Sequence, residues 1–372
     1  MKLFIVVNVD WFFISHRLPI AIAAQRSGWD VTIVTADTGK LKDLKTKGLK
    51  AINLPMTRSG MNPLQELKTL YFLLQLYRKE KPDVVHHVGI KTILWGSLAA
   101  KFAKVPAIVN AISGLGGFFS EDNHSLFSRL LPSVLRFSHK RENLLVIFQN
   151  QEDKNLYLHH HIITESQARF IKGSGIDLDE FHYTQEPKTE KVVVLMTCRM
   201  IREKGVFVLT DAAEILRDNY SDKVEFWIVG GLDDHPGAIT KEKMDSVCDD
   251  NYLRWLKRRE DIKGLLQKCH IFAFPSYYKE GVPKSLIEAC AIGRPIVTTD
   301  NIGCRDVVTD GVNGYLVPVK DAEALADKIK VLIDDKELRI KMGKVARKIA
   351  EKEFSVQDVI KKHLDIYQEL VS

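Results

Sequence analysis

Short apolar runs alternate with stretches of helical spacing along the whole chain. Leu3 to Val9, Val31 to Thr35, Val84 to His87, Ala107 to Ile112 and Leu144 to Phe148 are nearly continuous apolar segments, the pattern of strands buried on both faces. Helical patterns separate them, which predicts a parallel sheet with helices on both sides. Asn62-Pro63 marks one of the helix starts, an N-cap residue followed by proline at the first helical position. The rhythm then begins again with Val192 to Cys198, Val224 to Gly230, Ile271 to Pro275, Ile296 to Thr299 and Gly314 to Pro318. Turn-rich Lys172 to Phe181 and polar Gln185 to Lys191 lie between the two series. The pattern predicts two doubly wound α/β domains, residues 1–170 and 171–353, facing each other across a cleft. A last helix at 354–372, apolar at Val359, Ile360, Leu364, Ile366, Tyr367 and Leu370, should pack back onto the first domain. Ligands of such sheets bind beyond the carboxyl ends of the strands, so the loops after strands are where chemistry is expected.

Composition changes this picture little. The chain has 372 residues, enough for two such cores, and its 45% hydrophobic and 27% charged content is that of a globular protein. No apolar run reaches the ~18 residues of a membrane span. The opening MKLFIVVNVDWFF lacks a small-residue cleavage site and reads as a first strand, so a cytoplasmic protein is expected. The five cysteines are odd in number, lie in one half and lack C-x-x-C spacing, which points to core thiols instead of disulfides or zinc. A net charge of +6 without an aromatic-basic motif gives no reason to expect nucleic acid. The placement of that charge matters more. Ser125 to Arg141 interleaves Leu126, Phe127, Leu130, Leu131, Val134, Leu135 and Phe137 with Arg129, Arg136, Lys140 and Arg141. Such a helix either lies on an anionic membrane surface or faces the core with a solvated basic side.

Candidate chemistry concentrates in the second half. In SYYKEGVPKSLIEACAIGRPIV, Ser276 to Val297, Pro283 suits a helix start, and Gly293 and Pro295 close that helix near Ile292. The positive end of the helix, at Gly281 to Ser285, favours phosphate oxygens. Glu280 precedes that end, and Glu288 lies roughly 7.5 Å further along the axis at 1.5 Å per residue. One carboxylate on each side of an anion site suits a nucleoside diphosphate sugar, hexose at one end and ribose at the other. Two solvated surface glutamates are the other reading. After Val192 to Cys198 come Arg199, Arg202 and Lys204 at a helix start, where cations oppose the dipole unless an anion compensates. A diphosphate supplies that anion, gripped by Arg as a fork and by Lys as a point charge; a solvated basic loop is the other reading.

R-x4-K-G followed some seventy residues later by PSYYKEGVPKSLIEACAIGRPIV resembles the retaining GT-B glycosyltransferases of family 4. Gly173-Ser174-Gly175-Ile176-Asp177, Gly230-Gly231, Gly303 to Val308 and Asp310 to Gly314 are similar to further motifs of that family. The resemblance implies that Arg199 and Lys204 stabilise the departing diphosphate. It also implies that Glu280 and the backbone of Gly281, Val282, Pro283 and Lys284 hold the donor hexose, and that Glu288 takes the ribose hydroxyls. Arg258 falls in the base-binding loop, with Lys257 where that family commonly has glycine. The anomeric configuration would be retained without a protein nucleophile, the acceptor hydroxyl attacking on the face of the leaving group. No cofactor and no metal are implied, the UDP-sugar being the donor substrate.

The first domain should hold the acceptor. Asp10 to Arg17 stands where many members carry a glycine-rich turn. His16, His86, Ser113 and Gly114 are the acceptor-side candidates, with His87 beside them; a histidine there either bonds a sugar or is satisfied inside the fold. Ser113-Gly114-Leu115-Gly116-Gly117 is a loop whose N–H groups suit a phosphate or simply a tight turn. His159 to His161 reads as a solvated helix end. Ser15 to Ile20, His86 to Lys91 and Asn110 to Gly116 look like a narrower bacterial group that extends undecaprenyl-diphosphate-linked sugars, often from N-acetylhexosamine donors. The resemblance thus implies a UDP-sugar donor, a polyprenyl-diphosphate-linked sugar acceptor and a place on the inner face of the cytoplasmic membrane. The alternatives are a nucleotide-sugar epimerase of the same architecture and a non-catalytic nucleotide-sugar-binding partner.

Overall fold

Every pairing between strands is parallel, and the strands fall into two sheets. The computed structural model describes residues 1–57, 62–115, 126–233, 235–249 and 251–372. The chain divides into one unit of Met1–Ser174 with Val356–Ser372, and a second of Gly175–Ser355.

In the first unit the strands are β1 (Lys2–Val9), β2 (Asp30–Ala36), β3 (Lys50–Asn53), β4 (Val84–Val88), β5 (Ala107–Ala111), β6 (Leu144–Phe148) and β7 (Ala168–Phe170). They are ordered β3-β2-β1-β4-β5-β6-β7. The helices between them are α1 (Asp10–His16), α2 (Leu18–Arg26), α3 (Leu41–Thr46), α4 (Pro63–Glu80), α5 (Ile90–Ala103), α6 (Leu126–His139) and α7 (Gln151–His159). In the second unit β8 (Val192–Thr197), β9 (Val224–Val229), β10 (Leu253–Trp255), β11 (Ile271–Phe274), β12 (Ile296–Thr299) and β13 (Gly314–Val317) run in the order β10-β9-β8-β11-β12-β13. Its helices are α8 (Val206–Tyr220), α9 (Lys241–Val247), α10 (Ile262–Lys268), α11 (Lys284–Ile292), α12 (Ala322–Asp334) and α13 (Lys336–Glu353). The final helix, α14 (Val356–Glu369), belongs to the first unit.

Each strand order reverses direction beside the strand that begins it, between β1 and β4 and between β8 and β11. Loops at such a reversal part to opposite faces and leave a crevice at the carboxyl ends of the strands. The first sheet carries two apolar layers. Phe4, Val6 and Val85 face α4, α5 and α6 through Leu73, Ile93 and Leu135. Leu3, Ile5 and Val7 face Phe13, Ile20 and, from α14, Val359, Ile366 and Tyr367. Tyr367 packs edge-on against Trp29, ring centroids 5.9 Å apart.

The strands read from the sequence are present, and three others were not legible there. β3, β7 and β10 are each the outermost strand of a sheet. They are short and partly exposed, because an edge strand pairs on one side only and needs no continuous apolar run. Asn62 caps α4 as expected, its side chain accepting from Leu64 N at 3.0 Å. Pro283, expected as the first helical residue, stands one place earlier as the cap of α11, with φ −64° and ψ 124°. Gly293 closes that helix at φ 85°. The cysteines are free thiols, and burial pushes Cys198, Cys269 and Cys304 up to about 12. Among the described residues no helix is long and apolar enough to cross a membrane.

Candidate active site

The basic turn after β8 is shaped by glycine. Gly205 sits at φ 80°, and a Cβ there would lie 2.0 Å from Pro275 O, so the turn rests directly on the end of β11. That contact sets Lys204 inside the fold at 6% exposure, its ammonium 5.3 Å from the centroid of Phe274 and 5.5 Å from that of Tyr278. A buried ammonium needs an anionic partner. Glu280 provides it, in direct ion-pair contact with Lys204 Nζ. Arg199, at the other end of the turn, pairs with Asp233 at 3.3 Å. Arg202 is exposed.

Glu280 is held in place from several sides. Ser276 Oγ donates to its Oε1 at 3.1 Å. Tyr277 N donates to Glu203 O at 2.9 Å, tying the loop after β11 to the basic turn. Asn301 Nδ2 donates to Tyr278 O at 3.0 Å, and Thr299 Oγ1 donates to Ser276 O. Below Gly281, a Cβ at Gly303 would lie 1.8 Å from Gly281 O, and φ there is +82°. Glycine is therefore required at 303 for the Gly281–Val282–Pro283 turn to sit where it does. Those three residues are buried, and Lys284 opens α11. The turn after β8 and the loop after β11 thus meet at the strand reversal of the second sheet, where a ligand is expected.

Glu288 lies in the second turn of α11 and is half-buried. Burial pushes its carboxyl up to about 7, with Lys284 opposing the shift and Glu180 adding to it. Arg258 lies against Gly231, where a Cβ would come within 3.3 Å of the Arg258 Cβ. Lys257 adopts φ 56°, the left-handed conformation that glycine takes without strain. Two hydrogen bonds hold the loop in that shape: Lys257 O accepts from Gly230 N at 2.9 Å, and Trp255 Nε1 donates to Gly230 O at 3.1 Å.

The first-unit candidates are more scattered. His16 ends α1, half-buried, its ring stacked on Phe12 at 4.1 Å and its Nδ1 3.2 Å from Phe12 O. Ser113 and Gly114 follow β5, Gly114 at φ 105°; Gly116 and Gly117 lie outside the described residues. His86 and His87 do not face an open surface. Strand alternation sends them to opposite sides of β4, and both are fully buried. His86 Nδ1 meets Tyr367 Oη of α14 at 2.7 Å, and burial holds its pKa well below the ordinary value. His87 belongs to a closed network. Leu135 O can only accept, so His139 Nδ1 is the donor at 2.8 Å and His139 Nε2 accepts from Asn110 Nδ2 at 2.9 Å. Asn110 Oδ1 accepts from His87 Nδ1 at 2.8 Å, and His87 Nε2 accepts from Tyr77 Oη at 3.0 Å. Burial keeps His87 neutral, its pKa down to about 4. These histidines are internal struts.

The turn after β1 also differs from a glycine-rich phosphate loop. The strand runs straight into α1 at Asp10, whose carboxylate accepts from Trp11 N at 2.7 Å, Thr38 N at 2.7 Å and Lys40 N at 2.9 Å. Burial alone would raise its pKa, but these bonds and that from the Thr38 hydroxyl outweigh it and hold the group ionised. Among the described residues, no group of three or more His, Cys, Asp and Glu side chains is arranged to hold a metal ion.

Two features escaped sequence reading. Asp233 is an acid just past the Gly230-Gly231 strand end, a position worth noting in any doubly wound fold. On α4, Leu64, Leu67 and Tyr71 are exposed at i, i+3 and i+7. The signal was a second apolar stripe on a helix whose other stripe, through Leu73 and Tyr77, already fills the core.

Residues 2–150 match the family described as "Glycosyl transferase 4-like", and residues 178–349 match "Glycosyl transferases group 1". An N,N'-diacetylbacillosaminyl-diphospho-undecaprenol alpha-1,3-N-acetylgalactosaminyltransferase of Campylobacter jejuni is 29% identical over 96% of this chain and 98% of its own. A UDP-Gal:alpha-D-GlcNAc-diphosphoundecaprenol alpha-1,3-galactosyltransferase of Escherichia coli is 26% identical over 92% and 90%. Among solved structures, a glycosyltransferase from Rickettsia africae superposes with a TM-score of 0.78 at 21% identity, covering 100% of this chain and 98% of that one. Anabaena HepE in complex with UDP gives 0.77 at 18% identity over 99% and 100%.

Proposed function

The chain belongs to the glycosyltransferases that join a 4-like first half to a group 1 second half, of GT-B fold, and on that premise we propose what it transfers, to what and where. It moves a hexose or N-acetylhexosamine from a UDP-sugar to a polyprenyl-diphosphate-linked sugar, with retention at the anomeric carbon. The observation that carries the donor half is the contact between Lys204 and Glu280, residues from two segments of the chain joined at one strand reversal. Lys204 and Arg199 stabilise the negative charge that grows on the leaving diphosphate, a large term for such a reaction. Glu280 and the Gly281 to Lys284 backbone take the hexose, Glu288 the ribose and Arg258 the base. In this reading the two cations at the leaving group do the work of a resident metal. The acceptor half rests on relatives whose names specify undecaprenol-linked diphospho-sugars. His16, Ser113 and Gly114 are its remaining contacts.

The lipid acceptor implies work at a membrane, and exposed side chains of the first unit support that reading. Leu64 of α4 is 78% exposed, with Leu67, Tyr71 and Lys68 on the same side. α6 exposes Leu130 and Phe137 between Arg129, Arg136 and Lys140, while Phe102 of α5 lies beside Phe137 with ring centroids 6.3 Å apart. These three helices are neighbours on one face of the sheet. Exposed apolar side chains with basic neighbours on adjacent helices fit an anionic bilayer surface.

The test is a panel of UDP-sugars incubated with synthetic polyprenyl-diphosphate sugars, with and without EDTA, product linkage being read by NMR. An α-linked product made equally well in EDTA is expected. Donor epimerised without acceptor being consumed, or donor bound and never turned over, overturns the assignment. In sedimentation with phosphatidylglycerol vesicles, a Leu64→Ser, Leu67→Ser, Phe137→Ser variant should stay in the supernatant; pelleting as well as the parent removes the membrane surface from the proposal.

A further inference from the structure

Both ends of the basic turn are held by carboxylates of the same unit. Lys204 is held by Glu280, and Arg199 Nη1 lies 3.3 Å from Asp233 Oδ2. The two members of the second pair are unequal. The Asp233 side chain is 9% exposed, and its other oxygen accepts the N–H of His235 at 2.9 Å, which fixes the carboxylate on its own loop. The Arg199 side chain is 29% exposed and, among the described residues, Asp233 is the acidic group it is paired with. The acid is therefore the anchored partner and the guanidinium the one able to turn to another anion. A diphosphate carries at least twice the charge of a carboxylate and presents oxygens that suit the guanidinium fork, so it competes well for Arg199.

We propose that Asp233 is a resident counter-anion of the donor site. It holds Arg199 while no diphosphate is bound, yields it when the donor arrives, and reclaims it as the spent nucleoside diphosphate leaves. The inference rests on the assignment of Arg199 and Lys204 to the donor diphosphate. Its consequence is a deliberate weakening: the bound nucleotide must compete with a carboxylate already in place, and a buried negative charge stays near the product after the exchange. Asp233 thereby shortens the residence of the released UDP. It positions Arg199 and takes no part in bond making.

The variant Asp233→Asn removes the charge but keeps an oxygen for the His235 N–H. By isothermal titration calorimetry it should bind UDP about three- to five-fold more tightly than the parent, the range expected when a partly exposed ion pair no longer competes. In steady state its donor KM and its kcat should both fall, and UDP should inhibit it more strongly. A purely structural role for Asp233 predicts the opposite, weaker UDP binding together with a lower melting temperature. UDP affinity in Asp233→Asn equal to or weaker than the parent's therefore overturns the proposal. Asp233→Ser, which also keeps a short acceptor for that N–H, makes the same measurement where the amide variant folds poorly. Arg199→Ala separates the two levels of inference. If the parent binds UDP and Arg199→Ala weakens it, the donor site stands, and adding Asp233→Asn to Arg199→Ala should give no further tightening. If the parent does not bind UDP at all, the donor assignment itself is lost.

Discussion

β1 and β8 occupy the same place in their sheets, third from an edge and next to the strand at which the order reverses. β1 leads at once into a helix headed by Asp10, a buried carboxylate with three backbone N–H groups bound to it. β8 leads into Arg199 and Lys204, whose turn rests on the next strand through Gly205. The sheet determines where a ligand can be approached, and the few residues after the first strand determine the sign of charge it meets. In the first unit that place is already filled by the protein's own anion. In the second it is lined by cations paired with Glu280 and Asp233.

The comparison can be broken most sharply at Lys204. Lys204→Ala should lower kcat by roughly 10²–10³-fold, the usual cost of losing one preorganised group at a developing charge, with the far-ultraviolet dichroism unchanged. Turnover within threefold of the parent would mean that the second unit's turn is not the anion site. Asp10 should behave in the other manner. Asp10→Ala takes the carboxylate acceptor from the N–H groups of Trp11, Thr38 and Lys40 and should cost about 1–3 kcal/mol in urea unfolding, while the UDP affinity of the folded fraction stays that of the parent.

Glu288 gives a pH test confined to the second unit. Its folded carboxyl titrates near 7, above the ordinary 4.5. The folded chain thus keeps a proton that the unfolded chain gives up earlier, and Glu288 favours unfolding increasingly as pH rises from 4.5 through 7. Glu288→Gln should flatten that part of the stability–pH curve. If the ionised carboxylate accepts the ribose hydroxyls, UDP should bind the parent up to about tenfold more weakly per pH unit below 7, a dependence absent from Glu288→Gln. The smallest effect concerns backbone shape alone: Lys257→Gly, at φ 56°, should change stability by no more than about 1 kcal/mol and leave UDP affinity unaltered.

Much of this second-unit site was legible from residue order, for a physical reason. Its parts are a turn glycine, a proline before a helix and charges adjacent to both, all of which act over a few residues. What was not legible depends on distant packing. Nothing local distinguishes His87 as a strut from an exposed histidine, because the decision lies with Tyr77 and Asn110 across two other elements. For His86 the sequence leaves both a sugar contact and a satisfied place inside the fold open, because the helix that seals it lies some 280 residues further along the chain, at Tyr367. Likewise the ion-pair partners of the cations, Glu280 for Lys204 and Asp233 for Arg199, become visible only once β8, β9 and β11 stand side by side.

The late position of α14 bears on the order of events during synthesis. One apolar face of the first sheet, around Leu3, Ile5 and Val7, includes Val359, Ile366 and Tyr367 in its packing. A ribosome delivers those residues after the whole second unit, so the first unit is completed only once the second has emerged. During translation the nascent first unit presents an unfinished apolar face, a natural ligand for holding chaperones and a source of premature association. A stop codon just ahead of α14 would therefore act as a lesion in the unit that begins at β1.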